Sequence, residues 1–115
     1  MRLVRCIGAL PQIMREKTVE EYFVRRVEEL GGMCMKFISP GLSGVPDRLV
    51  LYRGLACFVE LKAPGKSPRK LQRYVHRQIR KQGIPVFTAD TKEAADEVIC
   101  FLQNREEDSD EIHTA

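Results

Sequence analysis

The chain has no apolar run long enough to cross a bilayer. Its first ten residues carry Arg2 and Arg5 among a few apolar neighbours, but Gly8 and Pro11 cut the stretch short. No convincing h-region and cleavage site follow, so a secretory leader is not expected and the expected compartment is the cytoplasm. Clustered cysteine is also missing. Cys6, Cys34, Cys57 and Cys100 form no C-x-x-C pair and have no histidine at zinc-ligand spacing, which argues against a zinc site. Cys34, Cys57 and Cys100 sit in apolar stretches and read as free thiols filling core space, a pattern that suits a reducing compartment. There is no internal repeat and no low-complexity segment. At 115 residues, 43% apolar and 30% charged, the chain is expected to form one soluble domain around one hydrophobic core.

Acidic residues are absent from one long stretch. Between Lys62 and Gln82 stand Lys62, Lys66, Arg69, Lys70, Arg73, Arg77, Arg80 and Lys81 with no Asp or Glu among them. The segment from Asn104 to Ala115 is the reverse, with Glu106, Glu107, Asp108, Asp110 and Glu111 against the single Arg105. The modest net charge of +3 therefore hides a polarised molecule. A basic face this dense suits a polyphosphate backbone better than a merely solvated helix surface, which would normally mix in acids.

Residues 1–15 show no period and read as an irregular arm. Thr18 with Glu21 forms a capping-box pattern, and Val19, Phe23, Val24, Val27 and Leu30 then recur at helical spacing up to Gly31-Gly32. Met33 to Ile38 reads as a strand, and the turn-rich Ser39 to Pro46 as a loop. Arg48–Tyr52 and Leu55–Lys62 read as two strands joined by a tight Arg53-Gly54 hairpin turn. Ser67, followed by Pro68, is expected to cap a helix running to about Gln82 before Gly83. Ile84 to Thr88 reads as a fourth strand, and Thr91 as the cap of a last helix to about Gln103. The expectation is an α/β domain over residues 16–103 in the order α-β-β-β-α-β-α, with a mixed central sheet flanked by helices. Residues 104–115 would follow as an acidic, disordered tail.

The chemistry gathers on the second and third strands. Alternation places Glu60 and Lys62 on one face of the third strand and Cys57, Val59 and Leu61 on the other. A lone E-x-K is a common charged pair on a half-exposed strand and carries little weight. Asp47, directly after Pro46, changes this. The two strands form a hairpin, so the start of one lies beside the end of the other, and Asp47 approaches Glu60 with Lys62 close by. Two carboxylates brought together repel unless a cation joins them, and oxygen ligands of this kind suit Mg²⁺ or Mn²⁺.

Pro46-Asp47 ahead of Glu60-Leu61-Lys62 on the adjoining strand resembles the PD-(D/E)xK nuclease superfamily. The nearer likeness is to its VRR-NUC branch, which includes short stand-alone phage and bacterial proteins. Gly31-Gly32, Lys36, Ser39-Pro40-Gly41, Gly44-Val45-Pro46-Asp47-Arg48, Phe58 through Gly65, Ser67-Pro68, Gln72 and Gly83 carry it, over roughly Thr18 to Thr88. The resemblance implies a restriction-endonuclease-like core. Asp47 and Glu60, helped by the Leu61 backbone carbonyl, would bind the metal. Lys62 would orient or activate the attacking water and offset charge in the transition state. The family also uses a glutamate on the first helix. Glu20 is preferred because it shares a face with Val24 and Val27, whereas Glu21 belongs on the more polar side. Gln72 stands where the family carries a glutamine near the metal-bound water or scissile phosphate. His76 stands where related branches often place a tyrosine, which leaves its role open. Lys36, Lys66, Arg69, Lys70, Arg73 and Arg77 are the expected DNA contacts, although Lys36 could equally be an ordinary edge-strand lysine.

These readings predict a Mg²⁺- or Mn²⁺-dependent endonuclease that hydrolyses DNA phosphodiesters and leaves a 5′-phosphate, in a bacterial cell if the gene belongs to a phage. A single site this small cannot cut two strands at once, so a homodimer acting on four-way junctions or other branched DNA is expected. The sequence offers no aromatic base-stacking stripe and no base-reading element, which favours selection by DNA structure. The alternatives are a non-catalytic DNA-binding module with the same fold and a small-molecule phosphohydrolase. The complete set Glu20, Asp47, Glu60, Lys62 and Gln72 argues against the first, and the extended basic face against the second.

Overall fold

The computed structural model describes residues 16–114; the expected arm over residues 1–15 lies outside the described residues. In chain order the elements are α1 (Glu16–Leu30), β1 (Met33–Lys36), β2 (Arg48–Tyr52), β3 (Leu55–Leu61), α2 (Lys70–Lys81), β4 (Val86–Ala89) and α3 (Lys92–Thr114). This is the expected α-β-β-β-α-β-α order. The four strands form one mixed sheet in the order β1-β2-β3-β4. The β1-β2 and β2-β3 pairs are antiparallel, and β4 runs parallel to β3.

The turns follow from local chemistry. Arg53 and Gly54 both take positive φ, 46° and 86°, the geometry of a two-residue hairpin whose twist matches its flanking strands. That turn fixes the register from Tyr52↔Leu55 to Arg48↔Val59. Thr91 accepts the Ala94 N–H at 3.0 Å as the cap of α3, as its sequence context predicts.

The core lies on one side of the sheet. Val19, Phe23 and Val27 of α1 and Ala95, Val98, Ile99 and Leu102 of α3 cover Val50, Tyr52, Cys57, Val59, Leu61 and Ala89. Tyr22 donates to Asp96 Oδ1 at 2.6 Å and Arg26 reaches the same oxygen at 2.8 Å, so the two helices are also joined at their rim. On the opposite side α2 buries Gln72, Val75 and His76.

Several boundaries shift. The first helix already includes Glu16 and Lys17, so Thr18 is interior to it rather than its cap. The second helix starts two residues later than Ser67-Pro68 implies. Arg69 is its N-cap, because the Gln72 side chain accepts the Arg69 N–H at 2.9 Å. The last helix continues past Gln103 to Thr114, in a segment that holds no glycine or proline to stop it. Cysteine is less uniformly internal than expected. Cys57 is buried and Cys34 half-buried, but Cys100 is exposed, because Val98, Ile99 and Leu102 set the buried face of α3. Cys6 lies outside the described residues. Among the described residues no helix is long and apolar enough to cross a membrane.

Candidate active site

The hairpin register carries the site. Its last ladder pair is Arg48↔Val59, so one step further sets Asp47 opposite Glu60. The preceding Pro46 is fully buried, which anchors the approach to β2. Asp47 Oδ1 accepts the Leu61 N–H at 3.2 Å across the two strand ends. Burial, and then the charge of Glu60, push the Asp47 carboxyl up to about 6.

Glu60 is 4% exposed, an unusual place for a carboxylate. Its Oε2 accepts Gln72 Nε2 at 3.0 Å and lies 3.2 Å from Lys62 Nζ. Its Oε1 is buried and has no hydrogen-bond partner. Alternation along β3 explains the arrangement: Val59 and Leu61 enter the core under α1 and α3, so Glu60 and Lys62 turn to the α2 side. Gln72 reaches Glu60 because it lies in the first turn of α2, where its other amide atom holds Arg69.

Glu20 is placed differently. Its Oε2 is held by Arg48 Nη2 at 2.6 Å and Nε at 3.0 Å, and both side chains are largely withdrawn from solvent. Its charge still contributes to the raised Asp47 pKa, so it belongs to the same electrostatic neighbourhood. Glu21 is exposed. Sequence reasoning assigns Arg48 no role. The available signal is its phase: Arg48 alternates with Val50 and Tyr52, both buried, so a charge at that position calls for a partner.

His76, one turn beyond Gln72, is 2% exposed, and its Nε2 is buried without a partner. Burial, followed by the charges of Arg80 and Lys62, lowers its pKa from the ordinary histidine value. The expected DNA contacts are all exposed but do not share one surface. Lys36 borders a groove with Glu20, Arg25 and Arg48 beside α1, while Lys70, Arg73 and Arg77 line another on the outer face of α2. Arg80 is used internally, donating to the Val86 carbonyl at 2.9 Å.

A divalent cation fits the donors present. Asp47 and Glu60 offer hard carboxylate oxygens, one of them buried and unpartnered. Among the described residues no three His, Cys, Asp or Glu side chains gather as a ready-made cage.

No family model matches the chain. A phage protein named "Putative nuclease p44", from Acyrthosiphon pisum secondary endosymbiont phage 1, is 41% identical over 83 residues, covering 71% of this chain and 89% of that protein. A solved structure of a VRR-NUC domain superposes with a TM-score of 0.69 at 38% identity, covering 75% of this chain and 95% of that one.

Proposed function

The chain belongs to the VRR-NUC nuclease family, and on that footing we propose that it is a divalent-metal-dependent DNA endonuclease centred on Asp47, Glu60 and Lys62. The observation that carries this reading is Glu60 Oε1, a buried carboxylate oxygen without a donor, beside a second carboxylate whose pKa is raised to about 6. Leaving such an oxygen unpaired costs on the order of 1–3 kcal/mol or more, and a cation removes the cost.

Asp47, Glu60 and the Leu61 carbonyl would hold Mg²⁺ or Mn²⁺, and Glu20, gripped by Arg48, would add negative charge from α1 and reach the metal only on leaving that grip. When bound, the cation would supply Lewis-acid polarisation of the scissile phosphate and lower the pKa of water. Lys62, held beside Glu60, would orient the attacking water and balance the negative charge that builds on the phosphate. Gln72 fixes the Glu60 carboxylate and ties it to the start of α2. Lys36, Lys66, Arg69, Lys70, Arg73 and Arg77 would track the DNA backbone. Cutting two strands of a junction or other branched DNA would take two such sites in a homodimer.

The test uses the purified protein and its Lys62→Ala variant on labelled linear duplex, flap and four-way-junction DNA, each in EDTA, Mg²⁺ and Mn²⁺. Metal-dependent cutting that the variant loses supports the reading, and the preferred substrate reports on branched-DNA selection. Binding without cutting by the parent protein in either metal would favour a non-catalytic DNA-binding module instead.

A further inference from the structure

The outer face of α2 carries two large apolar side chains amid its positive charges. Leu71 and Tyr74 are each 52% exposed, and with Lys70, Arg73 and Arg77 they line one open groove. Tyr74 is two residues from both Gln72 and His76, which are buried towards the sheet, so it projects from the opposite side of the helix. The Arg77 guanidinium lies 5.9 Å from the centre of its ring. The sequence shows no aromatic stripe, and this single exposed ring is visible only once the helix phase is known.

We propose that this face seats an unpaired segment of the DNA substrate, with Tyr74 stacking on a base and Lys70, Arg73 and Arg77 holding the flanking phosphates. The inference rests on the DNA nuclease reading and narrows its substrate class to DNA containing unpaired nucleotides. Charge decides between occupants. No acidic residue lies between Lys62 and Gln82, so a polyanion is complementary to the face. A second copy related by a two-fold axis would press Lys70, Arg73 and Arg77 against their own equivalents. Stacking decides between forms of DNA. A ring among cations gains little from a duplex, whose bases are already stacked, whereas a splayed base offers a free face. The position also fits a strand leaving the site. Gln72 touches Glu60, and Tyr74 stands across a helix about 10 Å wide, so an unpaired strand that leaves the site reaches the ring within a few nucleotides.

The experiment measures affinity in EDTA, where no cutting is expected, for a labelled single-stranded oligonucleotide and for the blunt duplex of the same sequence. The parent protein, Tyr74→Ala and Tyr74→Phe are compared. The expected result is that the ratio of single-strand to duplex affinity falls about tenfold in Tyr74→Ala and is kept in Tyr74→Phe, which retains the ring. An unchanged ratio in Tyr74→Ala overturns the proposal, as does an equal loss for both DNAs. A change from dimer to monomer on sedimentation of Tyr74→Ala would also overturn it, because the face would then be an interface between copies. Because these readings are taken without metal, they stand apart from the cutting assay: the stacking proposal can fail while Lys62-dependent cutting survives.

Discussion

Gln72 Nε2 lies 3.0 Å from Glu60 Oε2, so the first turn of α2 is bonded to the most buried carboxylate of the candidate site. The same side chain accepts the Arg69 N–H, so one residue both starts the helix and orients Glu60.

Replacing Gln72 therefore acts on position and on stability together. Gln72→Ala is expected to lower unfolding free energy by about 1–2 kcal/mol, through a lost cap and a buried carboxylate left with one partner fewer. Cutting should fall by more than that loss of folded protein explains. Gln72→Glu should be less stable still in EDTA, because it sets a second carboxylate against Glu60. Thermal melts beside cutting rates check both, and a Gln72→Ala protein with parental rates would refute the orienting role.

Asp47 gives a pH dependence with a definite sign. Its folded pKa, about 6, lies above the ordinary value of 3.8, so the folded state holds more protons than the unfolded state between those values. In metal-free buffer this group makes stability fall as pH rises from about 4 to about 6, and the penalty is fully present above that. Asp47→Asn keeps an acceptor for the Leu61 N–H but removes the charge. In EDTA it should melt higher than the parent at about pH 8, with the gap closing towards about pH 4, while cutting is abolished. A variant less stable than the parent at the higher pH would contradict the assignment of Asp47 as a strained carboxylate.

Much of this site is legible in the chain because it depends on short-range rules. The Arg53-Gly54 turn sets a hairpin, the hairpin sets Asp47 beside Glu60, and alternation sets Lys62 with Glu60. What escapes such rules depends on contacts distant in sequence or on competition between caps. Arg48 meets Glu20 across 28 positions, and no local pattern encodes that pairing. Ser67-Pro68 looks like a helix start, but the Gln72 side chain supplies a cap to Arg69 instead. Tyr74 stands out only in the folded chain, because its exposure depends on which face of α2 the sheet covers.

Arg48 should be needed to keep Glu20 in place. Arg48→Ala leaves Glu20 without its fork and within the electrostatic reach of Asp47, and is expected to cost about 1.5–3 kcal/mol in a denaturant titration. Arg48→Lys should recover only part of this, since an ammonium cannot reproduce the two-nitrogen grip. In the Glu20→Gln background the cost of Arg48→Ala should shrink, and a cycle with no coupling would show that the pair contributes nothing beyond its separate side chains.

Gly44 tests whether the loop before Asp47 must sit against α2. Its φ is +87°, and an added Cβ would lie 3.1 Å from side-chain atoms of Leu71 and Val75 and 3.2 Å from the Leu71 carbonyl oxygen. Gly65 has a similar φ of +82°, but nothing lies within 4 Å of its added Cβ. Both Ala variants carry the strain of a left-handed backbone, about 1–2 kcal/mol. Only Gly44→Ala must also push the helix that carries Gln72. Gly65→Ala should therefore lose stability with cutting per folded molecule largely kept, whereas Gly44→Ala should lose both. Equal cutting by the two variants, after correction for the fraction folded, would mean that the contact between loop and α2 has no part in placing Gln72 on Glu60.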